Sequence, residues 1–517
     1  MVNEGFFYSI NKLVLLTEKY EILMINKKNP IFVSVLFSLL TLSSCQLEQG
    51  SQNTAVKKTP ATTENTSQWL AGDHHVHSIY SAKWDHTTNP ATPIIGGDAN
   101  NSTLANVQMA RKYGLSWMVT TDHGGPNHSQ LNLNKAYPDL VAARQKVPQV
   151  MVFYGMEFDT PGARHSTLMI PKSDEEAQEL FAIESQFNRR EVEPDTTSRD
   201  SNEFMLEALQ FMAEQTHPPI LIVNHPARLA TGLGEYGKVT PAKMRDWQDT
   251  ASNVVIGMTG LPGHKAATLY PDGTIKKDGV PSEYFKYPTM GGYDQMTARL
   301  GGFWDSMLGE GRHWWITAAS DSHAHYSTGR TDFWPGQYNK LYVYAQNSYQ
   351  SVMDNLRAGR MFVTSGDLIN ELYVQTTNKL EGTQASIGET LTIKKGDSIT
   401  LTVRFAEPQQ GNANGQHPKV ARVDVITGDI VGPNKNRDAD TNLSTKVLER
   451  FTAADFVQQG KFSTIQLTIE HITQSQYVRI RGTNQGDELE PRVDEIGEDP
   501  WTDLWFYSNP IFIKVSP

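Results

Sequence analysis

Histidine is distributed very unevenly along this chain of 517 residues. Thirteen of its fifteen histidines lie between His74 and His325. Within that stretch, histidines and acidic residues form five ordered motifs, at residues 73–78, 121–123, 155–165, 224–226 and 320–323. Imidazole and carboxylate groups are the ligands that Zn²⁺, Mn²⁺ and Fe take from proteins. The pattern therefore predicts one site that holds more than one metal ion.

Four of these motifs come at or directly after a short apolar run. The runs are residues 115–121, 151–154, 220–223 and 314–319, and their β-branched and aromatic content is typical of buried parallel strands. In the first motif, the two imidazoles of His75 and His77 point to the same side if the segment is extended, because side chains alternate along a strand. Most candidate ligands thus lie just past the end of a predicted strand, where α/β barrels have their active sites.

The order of the motifs, HxH, DH, E…H, HP and DxH, resembles that of the polymerase and histidinol phosphatase (PHP) superfamily of metal-dependent phosphoesterases. With its leader and β-rich tail, the chain is most similar to the CehA/McbA-like branch. The resemblance covers about residues 69–365 and implies a distorted seven-stranded (β/α) barrel with two or three divalent ions, Mn, Zn or Fe. The metal ligands that it implies are His75, His77, His123, Glu157, His165, His225, Asp321 and His323.

The same resemblance implies catalytic roles for four side chains, Asp122, His225, Asp321 and His323. Asp122 is either a ligand or a hydrogen-bond partner that orients His123, since carboxylates commonly orient metal-bound imidazoles. Divalent ions lower the pKa of a bound water and neutralise a phosphoryl oxygen. Such chemistry requires no nucleophilic triad, and the sequence offers none.

One position departs from the family pattern. Relatives carry Asp or His five or six residues after HxH, whereas Ala82 and Lys83 stand there in this chain. We expect Asp85 or His86, displaced by two or three residues, to substitute. The occupancy of one metal position depends on that substitution.

Three further residues are candidates for contacting the substrate. Arg164 and Arg228 follow or precede predicted ligands closely, and arginine suits the bidentate recognition of phosphate, although each can equally form an ion pair at the rim. His264 follows an apolar run and either contacts the substrate or packs within its loop. Residues 260–300 are long for a loop and predict a lid. Its expected aromatic lining is Tyr270, Tyr284, Tyr287 and Tyr293.

Charge narrows the class of substrate. The net charge is −11 and no basic tract is present, which disfavours a long nucleic-acid substrate because an acidic chain repels a polyanion. We expect a phosphoesterase for small organophosphates. Hydrolysis of carbamates or carboxylic esters, and 5′–3′ exonuclease activity on short oligonucleotides, are the alternatives. A non-catalytic surface protein is disfavoured because nearly all ligands are intact. The sequence indicates nothing about oligomeric state.

The amino-terminal region predicts export and lipid attachment. Residues 24–44 have a basic start and a short apolar stretch, as a signal peptide does, and Leu42-Ser43-Ser44-Cys45 resembles a lipobox. Cys45, the one cysteine, is then lipidated, and the enzyme faces the periplasm on a membrane. Gln46 lacks the aspartate that retains lipoproteins at the inner membrane, which favours the outer membrane. Residues 1–23 do not fit a leader, so we expect the start at Met24.

Composition divides the remainder of the chain. Residues 46–68 are rich in polar residues and predict a flexible linker. Residues 69–366 correspond to the hydrolase barrel. Residues 367–517 show short alternating strands, which predict a β-sandwich-like accessory domain. Support, substrate recruitment and surface binding are all open as its role.

Overall fold

Short apolar segments alternate with helices in the first part of the chain and build a sheet. The computed structural model describes residues 66–516. Up to residue 365 its strands are β1 Gln68–Val76, β2 Lys83–Asp85, β3 Thr92–Ile94, β4 Trp117–Thr120, β5 Met151–Asp159, β6 His165–Met169, β7 Ile220–Val223, β8 Val255–Leu261, β9 Trp315–Ala318, β10 Asn339–Ala345 and β11 Met361–Ser365. The four apolar runs in the sequence form β4, β5, β7 and β9.

Helices connect these strands. They are α1 Thr103–Lys112, α2 His128–Leu131, α3 Tyr137–Lys146, α4 Glu176–Phe187, α5 Asn202–Ala213, α6 Pro241–Thr250, α7 Gln295–Ala298, α8 Phe303–Gly309 and α9 Tyr349–Arg357. Hydroxyl caps begin several of them, as where Ser201 accepts the N–H of Phe204 at the start of α5. Helix α5 buries Met205, Leu209 and Met212, which share one face because they are three to four residues apart.

After β11, residues 367–516 contain strands and no α-helix. The strands are β12 Glu371–Asn378, β13 Gln384–Ser386, β14 Thr390–Lys394, β15 Ile399–Ala406, β16 Arg422–Asp429, β17 Lys446–Thr452, β18 Val457–Gln459, β19 Phe462–Ile469, β20 Gln476–Thr483, β21 Trp505–Ser508 and β22 Ile511–Ser516. Five of them form a separate antiparallel sheet in the order β13-β12-β15-β19-β18.

The other strands of the tail join the large sheet of the first part. Thirteen of the 15 strands of this sheet follow the order β14-β22-β20-β21-β11-β10-β1-β4-β5-β6-β7-β8-β9; in addition, β16 pairs with β20 and β17 pairs with β16. The link is the antiparallel pairing of β11 with β21. The fold is therefore mixed α/β, with a large mixed sheet and a second, antiparallel sheet. The domain boundary expected at residue 366 stays a prediction, since hydrogen bonds continue across it.

Six strands run in the same direction and set the position of the candidate site. β1, β4 and β5 pair in parallel, as do β7, β8 and β9. Because β6 is antiparallel to both β5 and β7, the two groups share one direction. Their carboxyl ends therefore lie at one edge of the sheet.

The tail also packs onto the loop that follows β8. The backbone N–H of Asp494 donates to the carbonyl of Thr289 at 2.8 Å. Its carboxylate accepts the N–H of Gly292 and the hydroxyl of Thr289. Buried beside it, the ammonium group of Lys265 donates to the hydroxyl of Ser282 at 2.8 Å. Residues of the tail thus hold in place a loop that leads into the candidate site.

Three expectations about the amino-terminal region lie outside the described residues. These are the leader at residues 1–45, the lipid on Cys45, and residues 46–65 of the linker that was expected at 46–68. Within residues 66–516, no helix has both the length and the apolar character that a membrane span requires.

Candidate metal centre

The predicted ligands converge at the carboxyl ends of the parallel strands. β1 ends with the HxH motif, and the segment after it donates the N–H of His77 to the carbonyl of Ser322 at 3.0 Å. The segment after β4 pairs with β5, where the N–H of Glu157 donates to the carbonyl of Asp122 at 3.3 Å. The first link joins the first motif to the fifth, and the second joins the second motif to the third. The N–H of Thr121, which donates to the carbonyl of Val76 at 2.9 Å, connects the two pairs, and β7 adds His225 from beside them.

The innermost group is His75, His77, Glu157 and Asp321, all buried. The Nε2 atoms of His75 and His77 lie 2.8 Å apart. Asp321 Oδ1 lies 3.2 Å from each of these nitrogens. Two imidazole nitrogens that face each other beside two carboxylates are poor partners for one another but together form the donor set of a divalent ion. This geometry fits a metal position.

Two further groups share ligands with the first. Glu157 Oε1 lies 3.1 Å from His165 Nδ1 and 3.2 Å from His225 Nε2, so its carboxylate can bridge two positions. On the other side of His77 lie His123 and His323, which form a third group with it. All eight ligands implied by the family resemblance are therefore in one cluster.

Asp98, which the sequence did not indicate, contacts two members of the third group. Its Oδ2 is 2.8 Å from His123 Nε2 and 3.4 Å from His323 Nε2. The loop that carries it is pinned by backbone hydrogen bonds to Ser81 and to His323. The one local signal is the Gly96-Gly97 pair, which predicts a turn before the acid but no ligand.

Asp85 and His86, expected to fill this position, are not brought to the cluster. Asp85 lies in β2, and its carboxylate accepts hydrogen bonds from the N–H and hydroxyl of Thr87. His86 is exposed in the turn that follows. The short β2–β3 hairpin lies between the HxH motif and Asp98.

Asp122 has a different contact from the one expected. Its carboxylate accepts hydrogen bonds from the N–H of Ser78 at 2.5 Å and from the hydroxyl of Ser81 at 3.2 Å. The same hydroxyl lies 2.7 Å from His77 Nδ1. Asp122 therefore orients His77 through Ser81, rather than His123, and its side chain does not line the cavity.

Burial and charge tune the protonation of the cluster. Burial lowers the pKa of His225 to about 4 and, together with the charge of His323, lowers that of His77 to about 3. Both imidazoles are thus neutral near pH 7, as a metal ligand must be. Burial raises the pKa of Glu157, but His165 and His75 oppose it and hold that pKa well below its ordinary value. The bridging carboxylate is therefore ionised.

A cavity of about 260 Å³ opens onto the cluster. Arg228 lines it, with Nη1 3.7 Å from Asp321 Oδ2 and Nη2 2.8 Å from Glu283 Oε2. Arg330 also lines it, whereas Arg164 does not. Of the two arginines expected to contact substrate, the structure thus places Arg228 at the cavity.

His264 belongs to the cluster and not merely to its loop. Its Nε2 lies 3.0 Å from Asp321 Oδ2, and its Nδ1 lies 2.5 Å from Asp332 Oδ1. The other oxygen of Asp332 accepts the N–H of His323 at 2.7 Å. Asp332, which the sequence did not indicate, therefore fixes both histidines in position.

The aromatic lid expected at residues 260–300 does not line the cavity. Tyr284 and Tyr293 are buried in the core, and neither Tyr270 nor Tyr287 is among the lining residues. From this loop, Glu283 and His264 face the cavity instead. Ionisable side chains line the cavity, and none of the four tyrosines expected there does.

Backbone strain concentrates at the cavity. Residues 66–516 contain eight non-glycine residues with positive φ, and four of them line this cavity: His225, His264, Glu283 and Asp321. Each such residue costs roughly 1–3 kcal/mol and persists where the surroundings impose it, most often at functional sites.

No protein-family model matches the sequence, and a search of curated proteins finds no match.

Proposed function

We propose that this protein is a metal-dependent hydrolase of PHP type, with small phosphoesters as its favoured substrates. The observation that carries the proposal is the sharing of ligands between adjacent groups: Glu157 belongs to two, and so does His77. Shared ligands are the arrangement that closely spaced ions require. We propose two or three divalent ions and the distorted (β/α) barrel that the family resemblance implies.

Three sets of residues would hold the ions. The first is His75, His77, Glu157 and Asp321, and the second is Glu157, His165 and His225. The third is His77, His123 and His323, with Asp98 beside the last two. When bound, divalent ions activate water for attack and stabilise the charge on the ester oxygen. The neutral imidazoles of His77 and His225 and the ionised carboxylate of Glu157 are donors that fit Zn, Mn or Fe.

The chain's own residues would position the ester. Arg228 faces the cavity from the side of Asp321, where it can contact an anionic oxygen of the substrate. His264 is held by Asp332 with its Nε2 directed towards Asp321, so it can hold or donate a proton at the leaving group. Asp122 and Ser81 keep His77 in the required tautomer.

A second candidate, hydrolysis of carboxylic or carbamate esters, is favoured by one observation. The cavity lining includes five acidic side chains but two arginines, and one of these, Arg228, is paired with Glu283 at 2.8 Å. A neutral ester suits such a lining better than a free dianion does. The volume of about 260 Å³ is small for an oligonucleotide, which disfavours exonuclease activity.

Metal analysis and a substrate panel test the proposal. Protein purified with excess metal should contain two or three equivalents of divalent ion and should hydrolyse small esters. Phosphomonoesters, phosphodiesters, aryl esters and carbamates would be compared at equal metal loading. One equivalent or fewer, or hydrolysis of long nucleic acid in preference to small esters, would refute the proposal. We also propose, from the sequence, that Cys45 anchors the enzyme to a membrane facing the periplasm.

A further inference from the structure

A second cavity lies at the opposite end of β1 from the metal centre. Its volume is about 410 Å³, and it is lined from β1, β10, β12 and β15. Trp69 lines it near the start of β1, whereas His75 lies six residues further along the same strand. Because a strand rises about 3.3 Å per residue, the two cavities are roughly 20 Å apart. A small ligand cannot occupy both.

Three aromatic rings form one wall of this second cavity. The centroid of the Trp69 ring lies 5.2 Å from the ring centroid of Tyr344 and 6.1 Å from that of Tyr373. The planes are tilted by 56° and 64°, so no two rings present the parallel faces between which a flat base would insert. Contact between the rings also leaves no room for a quaternary ammonium group between them.

Arg404 supplies a cation without an acidic partner. Its guanidinium carbon lies 4.4 Å from the centroid of Phe462 and 5.8 Å from that of Tyr373. Within residues 66–516, no carboxylate lies within 4.0 Å of it, and its buried Nε has no hydrogen-bond partner. Arg360, by contrast, pairs with Glu389 at 3.0 Å in the same cavity. Arg404 is therefore available to a bound anion.

Hydroxyl and amide groups complete the lining. Gln375 on β12 and Thr402 on β15 are directly opposite each other in the antiparallel pair. Ser386 on β13 lies beside them, since it pairs with Gln375. These groups can donate and accept hydrogen bonds at several points of one ligand, next to rings that favour its apolar faces.

We infer that this cavity binds a carbohydrate unit that carries an acidic group. A sugar ring has an apolar face for Trp69 or Tyr373, hydroxyls for Gln375 and Thr402, and, in an acidic sugar, an anion for Arg404. The tilted rings exclude a base sandwich, and the free cation disfavours a cationic ligand. Such a site gives the β-rich tail a role in recruiting a surface or polymer to the enzyme.

Binding of the full chain to printed glycans tests the inference. The array would carry neutral oligosaccharides, uronate-bearing and sialylated oligosaccharides, and nucleotides as a separate arm. We expect binding to acidic glycans at least tenfold tighter than to neutral glycans of equal length. Arg404→Met should remove that preference, and Tyr373→Ala should weaken binding to both classes.

The matched control is Arg450→Met, on β17 outside the cavity. It should bind as the wild type does, and circular dichroism and metal content should be unchanged in all three variants. Failure to bind any acidic glycan at millimolar concentration overturns the inference. So does acidic-glycan binding that Arg404→Met leaves intact, or preferential binding of nucleotides. None of these measurements requires hydrolase activity, so they stand apart from the proposed function.

Discussion

The two cavities at the ends of β1 are built in different ways. The metal cavity has ionisable side chains in mutual contact, and four of its lining residues have a strained backbone. In the second cavity, rings and uncharged polar groups predominate, and no non-glycine lining residue has positive φ. Strain is retained where ligands must be held at fixed positions against their own repulsion, whereas recognition of a ring requires only exposed faces. The contrast fits the two proposals, chemistry in the first cavity and binding in the second.

The strongest test of this contrast removes a ligand from the centre of the metal cavity. Asp321→Ala and His77→Ala should each lower kcat/KM by at least about 10³-fold, because His77 belongs to two of the ligand groups and Asp321 to the first and to a further one with His264 and His323. Circular dichroism should show that the fold is retained, and elemental analysis should show lost metal. His217→Ala is the control, since His217 pairs with Glu179 away from the cluster. Variants that unfold but keep proportional activity would indicate structural roles instead.

A second test asks which acid completes the third group. Asp98→Asn should lower the metal content by about one equivalent and the activity by about 10–100-fold, as loss of a metal-orienting carboxylate does. Asp85→Asn should change neither, because Asp85 contacts Thr87 and not the cluster. Metal content is measured after dialysis against a fixed free-metal concentration. Loss of metal in Asp85→Asn alone would show instead that Asp85 fills this metal position, as the sequence predicts.

A buried ion pair outside both cavities should affect stability and not chemistry. His128 Nδ1 lies 2.5 Å from Glu184, and although burial lowers the pKa of His128, Glu184 raises it from 6.5 to about 9. A raised pKa means that the protonated histidine stabilises the folded state fully below pH 6.5 and that this stabilisation is lost as pH rises to about 9. Across that window the free energy of unfolding should fall by about 1–3 kcal/mol.

Urea unfolding at pH 6 and pH 9 measures this effect. Glu184→Gln should abolish most of the pH dependence, whereas Glu179→Gln, which breaks the half-exposed pair with His217, should leave it in place. A wild type equally stable at pH 6 and pH 9 would contradict the prediction.

The smallest expected effect is on hydrolysis when the second cavity is altered. Arg404→Met should change kcat/KM for a small soluble ester by less than about twofold, because roughly 20 Å separates the two cavities. Steady-state kinetics on the best ester of the panel provides the measurement. A larger loss would mean that the two cavities are coupled and do not act independently.

Much of the metal centre follows from local sequence patterns. His225 follows the apolar run that predicts β7, and Asp122 follows the run that predicts β4; both strands are buried, and each pairs in parallel with a neighbour, as the runs indicate. For His75 and His77, the HxH spacing alone places both imidazoles on one side of an extended segment. The same alternation places His74, between His75 and Asp73, on the opposite side, where its ring nitrogens contact Thr167 and Thr317. The β-rich character of the tail was likewise readable from alternation, but its hydrogen bonding into the first sheet was not.

What the sequence by itself determined is thus the set of ligand types and the strands that carry them, because strand period and apolar runs are local properties. Only the tertiary structure decided which loop residues complete the site. Asp98 lies in the loop after the β2–β3 hairpin, Asp332 contacts His264 although 68 residues separate them, and Glu283 lines the cavity where aromatic residues were expected. The second cavity likewise depends on the tertiary structure, because Trp69 and Arg404 both line it although they are more than 300 positions apart in the sequence. Such contacts depend on how loops and sheets pack, and no short-range pattern encodes that packing.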